Sequence, residues 1–228
     1  MSASATSIRR TRKPFLIPTL AKQCWGFMIG SAFFALASAP GLSEALGTSG
    51  ANLLCFIGAW FFTAAGLIQL FLSGAISVPV SYAPGRMVRA EWLAAATQSF
   101  GTILFNVSTT SALYARSVTA QDHWVWNPDA GGSVAFLVSG VFVLIAYAHV
   151  AKGWDPGKRG WWAGVINFIG CVAFGVSAIG AFVLSNGDAV NGALATWGTF
   201  IGALCFFLAS LIVLPRGKRA ASNAEVAA

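Results

Sequence analysis

Read from its N-terminus, the chain alternates long apolar runs with short polar punctuation. Six runs, at about residues 22–39, 51–73, 91–115, 131–150, 161–185 and 193–214, have the length at which a helix crosses hydrocarbon, roughly 20 residues. Pro40, Gly41 and Gly50 punctuate the first connection, and Pro79, Pro84 and Gly85 the second. Asn127-Pro128-Asp129 precedes the fourth run, with Asp129 placed to cap its helix. Pro156-Gly157 breaks the fourth connection, Asn186-Gly187 marks a tight turn in the fifth, and Pro215 ends the sixth run. The pattern predicts an all-α, polytopic membrane protein of six transmembrane helices. Residues 22–214 form the membrane domain, between a basic arm at 1–21 and a tail at 215–228.

The third run is the most polar. Glu91, Gln98, Thr102, Asn106 and Thr109 follow one another at spacings of seven, four, four and three, which puts them on one helix face. Hydrocarbon leaves amides and hydroxyls unsatisfied, so this face is expected to turn inward against other helices or water. Gln69 of the second run and Asn167 of the fifth are its natural partners.

A phrase recurs in the odd-numbered runs. Gly30, Gly101 and Gly170 are each followed by a small or polar residue, then by Phe34, Phe105 and Phe174 four places on, then by a small residue seven places on. The even runs carry a weaker version, with Phe62, Phe136 and Phe206 four places after Gly58, Gly132 and Gly202. The expected architecture is therefore three repeated helical hairpins of about 70 residues, with glycines admitting close backbone approach and phenylalanines filling the space beside them. Gly26–Gly30 and Gly198–Gly202 are also GxxxG matches.

Composition sharpens this picture. Of 228 residues, 57% are hydrophobic and 9% charged, and the mean hydropathy is +0.72; a soluble domain carries about 25% charged residues. The net charge of +7 does not point to nucleic acid, because the cations cluster at the ends of apolar runs. Of 14 Lys and Arg residues, all but Arg116 fall in the N-terminal stretch through Lys22, the second and fourth connections or the tail. Glu44, Asp122, Asp129 and Asp188 occupy the other side. The positive-inside rule then places both termini in the cytoplasm, with the chain in a bacterial cytoplasmic membrane. The basic start and Ala37-Ser38-Ala39 imitate a cleavable secretory signal, and Arg9-Arg10 faintly imitates a twin-arginine one. The first run is long for a signal and shares the repeated phrase, so its retention is expected.

Candidate chemistry is sparse. Gln98, Thr102, Asn106, Gln69 and Asn167 form a candidate polar intramembrane site, either the lining of a solute pathway or interhelical glue. Asp122, His123 and Asp129, in the longest external stretch (117–132), form a candidate ligand or metal site; the competing reading is a belt of interfacial tryptophans with solvated acids and a helix cap. His123 and His149 are expected at opposite membrane faces, which argues against a shared haem. Cys24, Cys55, Cys171 and Cys205 all lie within apolar runs and read as small buried hydrophobes. There is no HExxH, nucleotide-binding glycine loop or Ser-His-Asp set at one depth, so no catalytic residue, cofactor or metal is expected.

The phrases Gln98-Ser-Phe-Gly-Thr-Ile-Leu-Phe-Asn-Val-Ser-Thr109 and Asn127-Pro-Asp-Ala-Gly-Gly-Ser-Val-Ala-Phe136 resemble those of the YrhK-like bacterial membrane proteins. In that group a Gly-Thr-x-x-Phe-Asn-x-Ser-Thr helix precedes a Gly-Ser-x-x-Phe helix. The resemblance covers the third and fourth runs, implies a membrane location and a paired-helix unit, and brings no binding or catalytic residues. Two functions are expected from different classes. One is a non-enzymatic packing or accessory protein that associates with lipid, with itself or with a larger membrane complex. The other is a small-solute transporter or channel using the polar face of the third helix.

Overall fold

The computed structural model describes residues 17–80, 85–151 and 153–216. Most of the expected basic arm and tail, together with Pro84 and Lys152, lies outside the described residues.

Six long helices make up most of the described chain: α1 (Leu20–Ser38), α2 (Leu42–Leu72), α3 (Ala90–Ala112), α4 (Val118–Val150), α5 (Arg159–Gly180) and α6 (Gly192–Val213). All but α3 are long and apolar enough to cross a membrane. With 23 residues, α3 is about 34 Å long at a rise of 1.5 Å per residue, but its polar stripe lowers its hydropathy. Polar side chains start several helices: Thr19 Oγ1 accepts from the Lys22 amide at 3.3 Å, Ser117 Oγ from the Ala120 amide at 3.2 Å, and Asn191 Oδ1 from the Leu194 amide at 2.9 Å.

Three boundaries differ from the sequence expectation. α2 begins at Leu42, within the stretch expected to be a connection. The chain turns at Gly41 (φ 80°) and kinks at Gly47 (φ 64°), a left-handed backbone that favours glycine, while Gly50 is simply helical. α5 ends at Gly180 rather than near residue 185, because Val183 pairs with Ala189 around a turn at Gly187 (φ 89°). The expected external loop 117–132 is helix. Ser117 caps it, a π-helical turn spans Gln121–Trp126, and the helix continues through Asn127 and Pro128, so Asp129 is not a cap. The wide turn relieves the clash between the Pro128 ring and the carbonyl one turn earlier. The second connection contains an antiparallel ribbon, β1 (Ser77–Pro79) and β2 (Arg86–Val88), in register Ser77↔Val88, Val78↔Met87 and Pro79↔Arg86.

The helices form a closed ring. Each packs against its neighbours in chain order, and α6 returns to pack on α1; contact is densest within the hairpins α1–α2, α3–α4 and α5–α6. A glycine-for-phenylalanine exchange recurs in each hairpin. A Cβ built on Gly30 would meet the Phe62 ring at 2.8 Å, and one on Gly58 the Phe34 ring at 3.0 Å. Gly101 faces Phe136 at 2.6 Å and Gly132 faces Phe105 at 3.0 Å. Gly170 faces Phe206 and Gly202 faces Phe174, both at 2.7 Å. Each phenylalanine thus fills the notch of the glycine on its partner helix rather than of the glycine one turn before it. The GxxxG glycines Gly26 and Gly198 also face inward, against Ala65 and Ser177.

Candidate functional site

The six phenylalanines meet at the centre of the ring. Phe34, Phe105 and Phe174 of the odd helices form one triad, with ring centroids 5.8–6.4 Å apart. Phe62, Phe136 and Phe206 of the even helices form a second, at 5.5–6.4 Å. Cross-contacts such as Phe105–Phe136 at 4.9 Å join the triads. The void left among five of these rings is about 10 Å³, less than one water sphere, so the aromatic cage is solid.

A pocket lies on each side of the cage. The proximal pocket, about 250 Å³, opens toward the start of α1 and the end of α6, and all six helices line it. Gln23, Gln69, Gln98, Ser139, Asn167 and Ser210 supply its polar groups, one from each helix, and Phe27 and Phe206 supply aromatic wall. Gln98 is 4% exposed and has no hydrogen-bond partner among the described residues. Gln69 Oε1 is buried and equally unpartnered. Asn167 Nδ2 reaches only Cys171 Sγ, at 3.8 Å. Ser139 instead donates to the Ala94 carbonyl at 2.8 Å, tying α4 to α3.

The distal pocket, about 490 Å³, lies at the opposite end, between Thr48–Asn52 of α2, the end of α3, the π-turn region of α4 and the fifth connection. Arg116, Gln121 and Asp129 line it, and the Asp129 carboxylate makes no ion pair among the described residues. Asn52 Nδ2 donates to the Ala112 carbonyl at 3.0 Å.

The polar stripe of α3 therefore divides. Gln98 turns into the proximal pocket with Gln69 and Asn167. Thr102 is wholly buried and returns its hydroxyl to the Ser99 carbonyl at 2.7 Å. Asn106 Nδ2 donates to Thr63 Oγ1 at 2.6 Å, Thr63 donates to the Thr102 carbonyl at 3.2 Å, and Asn106 Oδ1 stays buried without a partner. With the Ser99 hydroxyl on the Gly66 carbonyl at 2.8 Å, these bonds form the α2–α3 seam. Glu91, at the start of α3, sits 3.5 Å from Arg89 in a partly exposed pair, a geometry of small energetic consequence.

Asp122, His123 and Asp129 do not form one site. Asp122 and His123 approach to 3.3 Å and border Phe182–Ser185, with His123 Nδ1 3.1 Å from the Thr119 carbonyl. Asp129 turns into the distal pocket instead. The extra residues of the π turn shift the helix face between them. Trp126 is partly buried, and its indole donates to the Ala178 carbonyl at 2.8 Å. Among the described residues, no three His, Cys, Asp or Glu side chains converge as a metal site.

Sequence reasoning missed Gln23, Ser139 and Ser210 as pocket residues and the cage as a feature of the site. Gln23 sits beside Lys22 and reads as part of a polar helix end, and the serines are unremarkable in so small-residue-rich a chain. The cage had a signal in the recurring phenylalanines, which read as packing within hairpins rather than convergence among them. No family model, curated protein or solved structure matches this chain.

Proposed function

We propose that the protein is a non-enzymatic, membrane-spanning conduit for a small uncharged solute, closed in this conformation by the aromatic cage. One observation carries the reading: polar side chains from all six helices converge inside the ring on a pocket that ends on the cage, with a second pocket beyond it. Packing alone gives no reason to aim the carboxamides of Gln69, Gln98 and Asn167 at a common space while Gln69 Oε1 stays buried without a partner. A gate of hydrophobic rings blocks passage by excluding water until the rings part.

The reading includes six crossings, with α3 presenting Gln98 and Thr102 inward and Phe100, Ile103 and Val107 to lipid. It also includes three related hairpins about a pseudo-threefold axis, of which the middle one carries the YrhK-like phrases, and a bacterial cytoplasmic membrane with both termini cytoplasmic. The uneven placement of Lys and Arg supports that orientation.

The alternative is a packing or accessory protein, alone or within a larger membrane complex. The hydrogen-bonded α2–α3 seam and the solidity of the cage favour it. Stopped-flow swelling of proteoliposomes in glycerol and acetamide separates the two. The conduit reading expects swelling above that of protein-free vesicles, and a faster rate when Phe105 and Phe136 are both replaced by Ala. Swelling equal to that of protein-free vesicles for both proteins leaves the packing reading standing.

A further inference from the structure

We infer that the proximal pocket is a binding site for a small uncharged solute bearing hydrogen-bond donors and acceptors on neighbouring atoms, the chemistry of a carboxamide or a polyol, and that Gln98 is its principal contact. The inference deepens the conduit reading, on which it rests for the route to the site, but binding is measurable without flux.

Three facts converge. Gln98 is more than nine-tenths buried, lines the pocket and has no hydrogen-bond partner among the described residues. Gln69 Oε1, on the same pocket, is buried and unpartnered as well. Burying a polar group without a partner costs about 1–3 kcal/mol, so the orphaned Gln69 Oε1, facing the same space as the Gln98 carboxamide, marks a place where a partner is normally supplied from outside the chain.

The residue types set the class of ligand. Each carboxamide holds an NH₂ donor beside a carbonyl acceptor, so Gln23, Gln69, Gln98 and Asn167 together match a molecule presenting both, in either amide orientation. Among the described residues no charged side chain lines the pocket, so an ion entering it would lose hydration and meet no counter-charge from them. At about 250 Å³ the space is smaller than the usual range for drug-sized ligands, and the Phe27 and Phe206 rings that wall it suit the carbon skeleton of a short metabolite.

The test is saturation transfer from the protein, embedded in nanodiscs, to four probes: acetamide, glycerol, acetate and methylammonium. Acetamide and glycerol should receive transfer and compete with each other, while acetate and methylammonium receive none. Gln98→Leu should weaken binding of the neutral probes roughly tenfold, the scale of one lost buried hydrogen bond. Gln98→Glu keeps the shape of the side chain and should shift preference toward methylammonium, which covers the case in which Gln98→Leu disturbs folding. Phe100→Leu, on the outward face of α3, serves as the folded control with unchanged binding. Equal transfer to all four probes, or neutral-probe binding unaffected by both Gln98 variants, overturns the site. Binding of the neutral probes without vesicle swelling retains the site and removes the conduit, whereas swelling that is indifferent to Gln98 does the reverse.

Discussion

At the residue scale, shape and hydrogen bonding make separable demands. Gly101 is a matter of shape: a methyl group there lies 2.6 Å from the Phe136 ring, and that ring is held by Phe105, Phe62 and Phe206. Gly101→Ala should therefore destabilise the fold by about 1–3 kcal/mol, the usual cost of overpacking. Gly192→Ala, with nothing within 4 Å of the added atom, should leave the thermal midpoint in detergent unchanged. Similar midpoints for the two variants would contradict the interlocked cage. Asn106 is a matter of bonding. Its replacement by Leu removes one interhelical bond of about 0.6 kcal/mol but also removes an orphaned buried acceptor. Thr63→Val instead removes a donor to the Thr102 carbonyl and leaves the Asn106 amide unbonded. The midpoint should fall further for Thr63→Val than for Asn106→Leu, and the opposite order would show that the seam is held elsewhere. The inward face of α3 was legible because residues spaced seven, four, four and three apart must share a side of a helix. Which of them would find a partner was not legible, since that depends on where the neighbouring helices place Thr63 and Gly66.

At the element scale, the chain's own punctuation is only partly decisive. Asn186-Gly187 was readable as a turn, and the structure shows why: Asn186 Oδ1 accepts from the Asp188 amide at 3.0 Å, its Nδ2 donates to the Asp188 carboxylate at 2.7 Å, and Gly187 takes φ 89°. Gly187→Ala should cost about 1–2 kcal/mol, because an L side chain in that backbone crowds its carbonyl, and the loss is checked by thermal unfolding. Asn127-Pro128-Asp129 carries a similar vocabulary and misleads. There the helix has already started at the Ser117 cap, and the π turn lets it pass through Pro128. Nothing local distinguishes a proline that opens a helix from one that a widened turn tolerates. The ribbon Ser77–Pro79 and Arg86–Val88 was equally hidden. Its residues are too few to show alternation, and side-chain bonds from Arg86 to Ser77 and from Arg89 to the Ser73 carbonyl brace it.

At the scale of the whole molecule, the decisive question is whether α3 crosses a membrane together with the five helices that are long and apolar enough to do so. Its mean hydropathy alone leaves it out, because the average over a helix ignores which face each residue occupies. The ring supplies what the average loses: Gln98, Thr102 and Thr109 are buried, and Phe100, Ile103 and Val107 are exposed. Turning the polar face of α3 into the ring leaves an apolar face for lipid, so the free energy of insertion follows the outward residues rather than the whole helix. Parity follows from this. If α3 crosses, the ribbon before it and the segment after it lie on opposite sides; if it does not, they share a side and the two chain termini part. A cysteine-free background makes this a direct measurement, with single cysteines at Met87, Tyr114 and Ser185 and a maleimide that does not penetrate intact cells. Tyr114→Cys and Ser185→Cys should be labelled from outside, and Met87→Cys only after lysis. Labelling of Met87→Cys and Tyr114→Cys from the same side would remove α3 from the membrane and, with it, Gln98 and the proximal pocket as parts of a transmembrane route.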